Sequence, residues 1–112
     1  MAKEIILSKD GDPRSAKYLT WNLDEAEAQA IKAAIGSAED KFLLLSTLSD
    51  YNEDFQCPSD RLLNLCQETI DLEILLEEQK RETSSLLKVL TLLGGLAALA
   101  HDHNLSIFGY AE

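Results

Sequence analysis

The sequence predicts a mainly α protein, a compact helical bundle of about four helices with short terminal strands placed to pair. Three observations predict it. Apolar residues make up 46% of the 112, an ordinary fraction for a globular chain. They recur at helical spacing from Leu23 onward. Proline is absent from Ser59 to His103, and the first glycine in that stretch is Gly94. One acidic helical domain over residues 1–112 is the expected organisation, because this length suits one core and would cramp two.

Lys3 to Ser8 (KEIILS) is a brief β-branched and apolar run, followed by the turn formers Lys9 to Arg14 (KDGDPR), which predicts a strand and a loop. Ser15 to Trp21 has no clear period, although Tyr18, Leu19 and Trp21 are expected to anchor it. Asn22 with Glu25 three places later resembles a capping box, and Gly36 supplies a C-cap, so the first helix is expected over about Leu23 to Ile35. Ser37 with Asp40 is placed to start a second helix, with Phe42, Leu44, Leu45 and Leu48 on its apolar side and an end near Asp50. Tyr51 to Cys57 (YNEDFQC) reads as a connecting loop before Pro58.

From Leu62 onward a heptad phase runs through Leu65, Thr69, Leu72, Leu76, Gln79, Thr83, Leu86, Leu90, Leu93, Ala97 and Ala100. It permits one helix of roughly 65 Å or an antiparallel hairpin breaking at Lys80 to Ser85. The hairpin is favoured, because Gln79 and Thr83 weaken the seam a coiled coil needs and Thr83 or Ser84 can cap a new helix. Between Thr83 and Ala100 only Lys88 is charged, so most of that helix should be covered. Gly94 and Gly95 each cost about 1 kcal/mol against alanine, which calls for close approach of a neighbouring backbone or a kink. Leu105 to Tyr110 (LSIFGY) reads as a last strand able to pair with Lys3 to Ser8.

Charge narrows the function. Twenty acidic residues against ten basic give a net of -10, and fifteen of those acids with only five of the bases lie between Asp24 and Glu82. Such a surface disfavours direct contact with nucleic acid or anionic membranes. The N-terminal apolar stretch is too short for a secretory signal. Leu86 to Ala100, at 15 residues, falls short of the ~20 that span a bilayer, so a cytoplasmic location is expected.

Motifs for chemistry are weak. His101, Asp102 and His103, with Glu112, are metal-ligand types, but histidines two apart on a helix point about 200° apart, and a polar helix end is the simpler reading. The pairs Glu73 with Glu77, Glu78 with Glu82, and Asp50 with Glu53 or Asp54 lack a matching pair on a facing helix, so a solvated face, partly neutralised by Lys80 and Arg81, explains them better than a magnesium site. Cys57 and Cys66 fit neither a redox pair nor a zinc knuckle, which leaves two reduced thiols, Cys57 in its loop being the more reactive. With no cofactor, metal or catalytic residue expected, the chain reads as no enzyme.

The expected function is a non-catalytic, protein-binding inhibitor of the immunity or antitoxin kind, which uses an acidic helical face to block a basic partner such as a toxin or nucleic-acid enzyme. The partner-binding candidates are Tyr51, Glu53, Asp54, Phe55, Glu73 and Glu77. The alternative is an oligomeric structural or regulatory subunit, for instance a homodimer, assembled through the apolar last helix.

Overall fold

The structure, a computed structural model, describes residues 2–9, 17–50 and 52–110. Strand β1 (Ala2–Ser8) pairs antiparallel with β2 (Lys17–Asp24), Ile5 facing Trp21 and Lys3 facing Leu23. Helix α1 (Glu25–Ile35) follows, then a 3-10 turn at Glu39–Lys41 and the short helix α2 (Leu43–Ser49). Strand β3 (Phe55–Cys57) and a second 3-10 turn at Ser59–Arg61 lead into α3 (Leu62–Glu78). Helix α4 (Ser84–Asp102) packs back on α3, and β4 (Ser106–Tyr110) closes the chain's path. The sheet order is β2-β1-β4-β3, with every neighbouring pair antiparallel.

Four helices and paired terminal strands match the expectation, with Ile6 facing Phe108 and Ser8 facing Ser106. The architecture as a whole is not a bundle. It is a helical layer on one face of a four-stranded sheet, and a single core cluster joins the two: Ile5, Leu7, Leu23 and Ile107 from the strands meet Ile31, Leu45, Leu65, Leu72 and Leu93 from the helices. Side chains alternate across a strand, so Ile6 and Phe108 point to the other face. They are buried too, outside that cluster.

Two of the four strands, β2 and β3, differ from what the sequence leads one to expect. Residues 17–24 form β2, and the capping box that starts α1 is Asp24 with Glu27, two residues beyond the expected Asn22 and Glu25. The Asp24 carboxylate accepts from the Glu27 amide at 2.8 Å and the Glu27 carboxylate accepts from the Asp24 amide at 3.1 Å. The acid-three-apart pattern occurs twice in succession, and the sheet decides between them by burying Leu23 on its inner face. Phe55 to Cys57, expected as loop, is β3, whose three residues are too few to show a period of two. Side chains of residues 17–20, Tyr18 and Leu19 among them, lie outside what is described; Trp21 packs against the core.

The hairpin expected between residues 59 and 103 is present. Thr83 caps α4, its hydroxyl accepting from the Leu86 amide at 3.2 Å. Gly94 meets a side chain and not a backbone: a Cβ there would lie 2.8 Å from the Thr69 hydroxyl of α3, whereas one on Gly95 would meet nothing within 4 Å. Helix α4 is covered on one side only, since Leu92 is 42% exposed. By length and composition alone its 19 residues would suffice to cross a membrane, a longer stretch than the 15-residue apolar run. In this fold Leu86, Val89, Leu90, Leu93, Leu96, Ala97 and Ala100 are buried in the core.

Candidate functional site

Helix α2 is held at both ends by charges from elsewhere in the fold. Its expected start at Ser37 and Asp40 is a 3-10 turn instead, and Phe42, at its N-cap, offers no side-chain acceptor. Glu68 of α3 replaces it, accepting from the amides of Leu44 at 3.2 Å and Leu45 at 3.0 Å. At the other end the Lys3 ammonium, buried beneath the sheet, donates to the carbonyls of Leu48 at 2.9 Å, Asp50 at 3.0 Å and Thr47 at 3.5 Å. A negative group at the N-terminus and a positive one at the C-terminus complement the helix dipole.

Gly109 makes room for this lysine, since a Cβ there would approach its Cε at 3.1 Å. Burial lowers the Lys3 pKa, opposed by the charges of Asp50, Asp54 and Glu53. Burial likewise raises that of Glu68, opposed by its bonds to the Leu45 and Leu44 amides.

This clamp fixes α2 and the preceding turn beside α3 and shapes two adjoining clefts. One, of about 430 Å³, is lined by Ala38, Lys41 and Phe42 on one wall and by Asp71, Ile74, Leu75, Glu78 and Gln79 on the other. The second, about 300 Å³, lies between Leu43, Leu44 and Arg61, Asn64, Gln67, Glu68 and Asp71. Asp71 is common to both, so together they flank α3 from Arg61 to Gln79, roughly 27 Å at 1.5 Å per residue. Exposed apolar side chains edge this surface: Leu43 at 66%, Ile74 at 48% and, further round α3, Leu63 at 57% and Ile70 at 44%.

Among the described residues Asp71, Glu77 and Glu78 of α3, and Glu82 in the loop after it, form no ion pair with lysine or arginine, and Asp71 accepts from the Gln67 side-chain amide at 2.8 Å. Lys80 and Arg81, expected to neutralise them locally, form no ion pair with these acids, and Arg81 donates to the Ala34 carbonyl at 3.2 Å. The last turn of α3 carries Glu77 and Glu78 and no basic residue, the unfavourable arrangement at a helix C-terminus by about 0.3–1 kcal/mol per charge.

The expected partner-binding residues do not form one patch. Glu53 and Asp54 are exposed before β3, while Glu77 lies at the far end of α3, 15 residues beyond Leu62 and so roughly 22 Å along the helix from its start. Phe55 is only 3% exposed, a core residue of the sheet's inner face and not a contact hot spot. Glu73 is half-buried and accepts from the Thr91 hydroxyl at 3.1 Å, which ties α3 to α4. Tyr51 lies outside the described residues. Sequence reasoning missed Asp71, Ile74 and the wall from Ala38 to Leu43; the available signal was Ile74, which lies outside the heptad positions of Leu72 and Leu76.

His101 and Asp102 approach at 3.8 Å on the exposed end of α4, and Glu112 lies outside the described residues. No group of three histidine, cysteine or acidic side chains comes together as a metal site among the described residues. Cys57, expected to be the more reactive thiol, is fully buried on β3, and burial pushes it up to about 11. Cys66 is the half-exposed one.

Comparison with known proteins returns no match: no protein-family model fits the sequence, and no curated protein or solved structure is significantly similar to it.

Proposed function

We propose that this protein is a non-catalytic binding protein, an inhibitor of the immunity or antitoxin kind, that docks a basic protein partner through its acidic helical surface. The observation that carries the reading is the row of exposed acids on α3, Asp71, Glu77 and Glu78, with which no described lysine or arginine forms an ion pair. Uncompensated charge on a rigid element speeds and orients encounter with a surface of opposite sign. It also carries a folding cost at the helix C-terminus that a cationic partner would relieve.

Co-expression tests it. The products of the genes flanking this one are made alone and together with it in a sensitive host. Relief of toxicity that depends on this protein, with a complex that weakens as salt rises, supports the reading; no relief and no complex with either product overturns it.

A second reading is a homo-oligomeric subunit. What favours it is the exposed stripe Leu63, Ile70 and Ile74 on α3, a different surface from the α4 face the apolar run suggested. The mass in solution at tens of micromolar separates the two.

A further inference from the structure

We infer that the cleft between the 3-10 turn at Glu39–Lys41 and the C-terminal half of α3 is the partner's anchoring point, and that it takes a segment presenting an apolar side chain beside a lysine or arginine. The inference rests on the acidic-docking reading above and narrows it to one site and one chemistry.

The cleft is bipolar. Its α3 wall carries Asp71 and Glu78, two turns apart on one face, and its opposite wall carries Lys41. Between them lie Phe42, buried at the floor, and Ile74, half in water at the lip. The cleft is an open groove of about 430 Å³, and an apolar side chain laid into it would cover Ile74. A cation on the same segment would meet Asp71 or Glu78 together with the negative end of the α3 dipole. The segment's backbone carbonyls would face the Lys41 ammonium. Of the protein's own nearby cations, Arg81 is bonded to the Ala34 carbonyl and Lys41 stands on the opposite wall, and neither forms an ion pair with Asp71 or Glu78. An all-polar cationic segment would leave Ile74 uncovered, and a purely apolar one would bury the Asp71 and Glu78 carboxylates with no cation beside them, which costs far more than it gains.

The test uses the full chain, isotope-labelled, and a short synthetic peptide of alternating arginine and leucine, with glutamine replacing arginine in the control. Amide shifts confined to residues 38–43 and 71–79, little response to the glutamine peptide, and a loss of affinity of about tenfold or more in Asp71→Lys/Glu78→Lys are expected. Glu53→Lys/Asp54→Lys, an equal change of net charge, should alter affinity by less than about twofold. Should the first variant melt early, Asp71→Asn/Glu78→Gln replaces it. Equal weakening by both charge reversals, with shifts spread over the acidic surface, overturns the cleft and leaves the acidic-docking reading standing. Failure of the arginine peptide to bind at low salt overturns both.

Discussion

The ammonium of Lys3, in the first strand, donates to the carbonyl of Leu48 at 2.9 Å, so the chain's N-terminal strand closes the C-terminal end of a helix 45 residues away. Lysine is seldom fully buried without a partner. Here three carbonyls satisfy it, and Gly109 opens the space through which it passes. Replacing Lys3 by methionine keeps the length of the side chain and removes its donors. A loss of about 1–3 kcal/mol in urea unfolding is expected, the cost of leaving buried carbonyls unpaired. Unchanged stability would mean that water or the neighbouring backbone serves them equally well.

Glu68 does the converse at the other end of α2. Glu68→Ala should lose about 1–3 kcal/mol, because the Leu45 amide is left buried without an acceptor. Glu68→Gln keeps an acceptor and removes the ionisation. Burial raises the Glu68 pKa above its ordinary 4.5, so its titration contributes stability that is fully present below that ordinary value and lost as pH rises through the folded value. Wild-type stability measured against that of Glu68→Gln should therefore decline as pH rises above the ordinary 4.5. A difference that grows over the same range would reverse the assigned cause.

The two cysteines should separate cleanly by reactivity. At pH 8 a thiol reagent is expected to label Cys66 in the native protein and Cys57 only after unfolding. The Cys57 thiol moves from 9.0 to about 11 on folding. Between those values the unfolded chain releases a proton the folded one keeps, so stability falls by about 2–3 kcal/mol on this account. Comparison with Cys57→Ala across pH 9 to 11 isolates it, and parallel curves for the two proteins would contradict the burial effect.

Adjacent glycines in α4 should respond in opposite directions. A Cβ at residue 94 would press on the Thr69 hydroxyl, which is itself held by the Cys66 carbonyl at 2.7 Å. Gly94→Ala should destabilise by about 1–3 kcal/mol through overpacking. Gly95→Ala meets open space and should stabilise by about 0.5–1 kcal/mol, the ordinary helical preference for alanine. Thermal melts of the two variants suffice, and a stabilising Gly94→Ala would mean that α3 and α4 pack less closely there.

Much of the helical layer was legible from local signals. The α3–α4 hairpin follows from a seam that weakens at Gln79 and Thr83 next to a good cap, and the Thr83 hydroxyl does cap α4. The pairing of the first and last strands follows from two short apolar runs at the ends of a helical chain. Neither β2 nor β3 announced itself, because Lys17–Asp24 runs into a capping box and Phe55–Cys57 is too short to alternate visibly. Of the candidate site, the acidity of α3 was readable and its setting was not. Ile74 and Asp71 become walls of a cleft only once the turn holding Lys41 and Phe42 is set against them.

By itself the sequence determined what depends on neighbours along the chain: periodic apolar faces, caps, breaks, and an excess of fifteen acids over five bases between Asp24 and Glu82. Only the tertiary structure decided that Lys3 and Glu68 would bracket α2, that Phe55 and Cys57 would turn inward, and that Arg81 would bond the Ala34 carbonyl and not an acid of α3. The physical reason is that burial and long-range hydrogen bonds belong to pairs of residues distant in sequence. No local pattern specifies which buried donor will meet which acceptor, because that choice is made by the packing of the whole sheet against its helices.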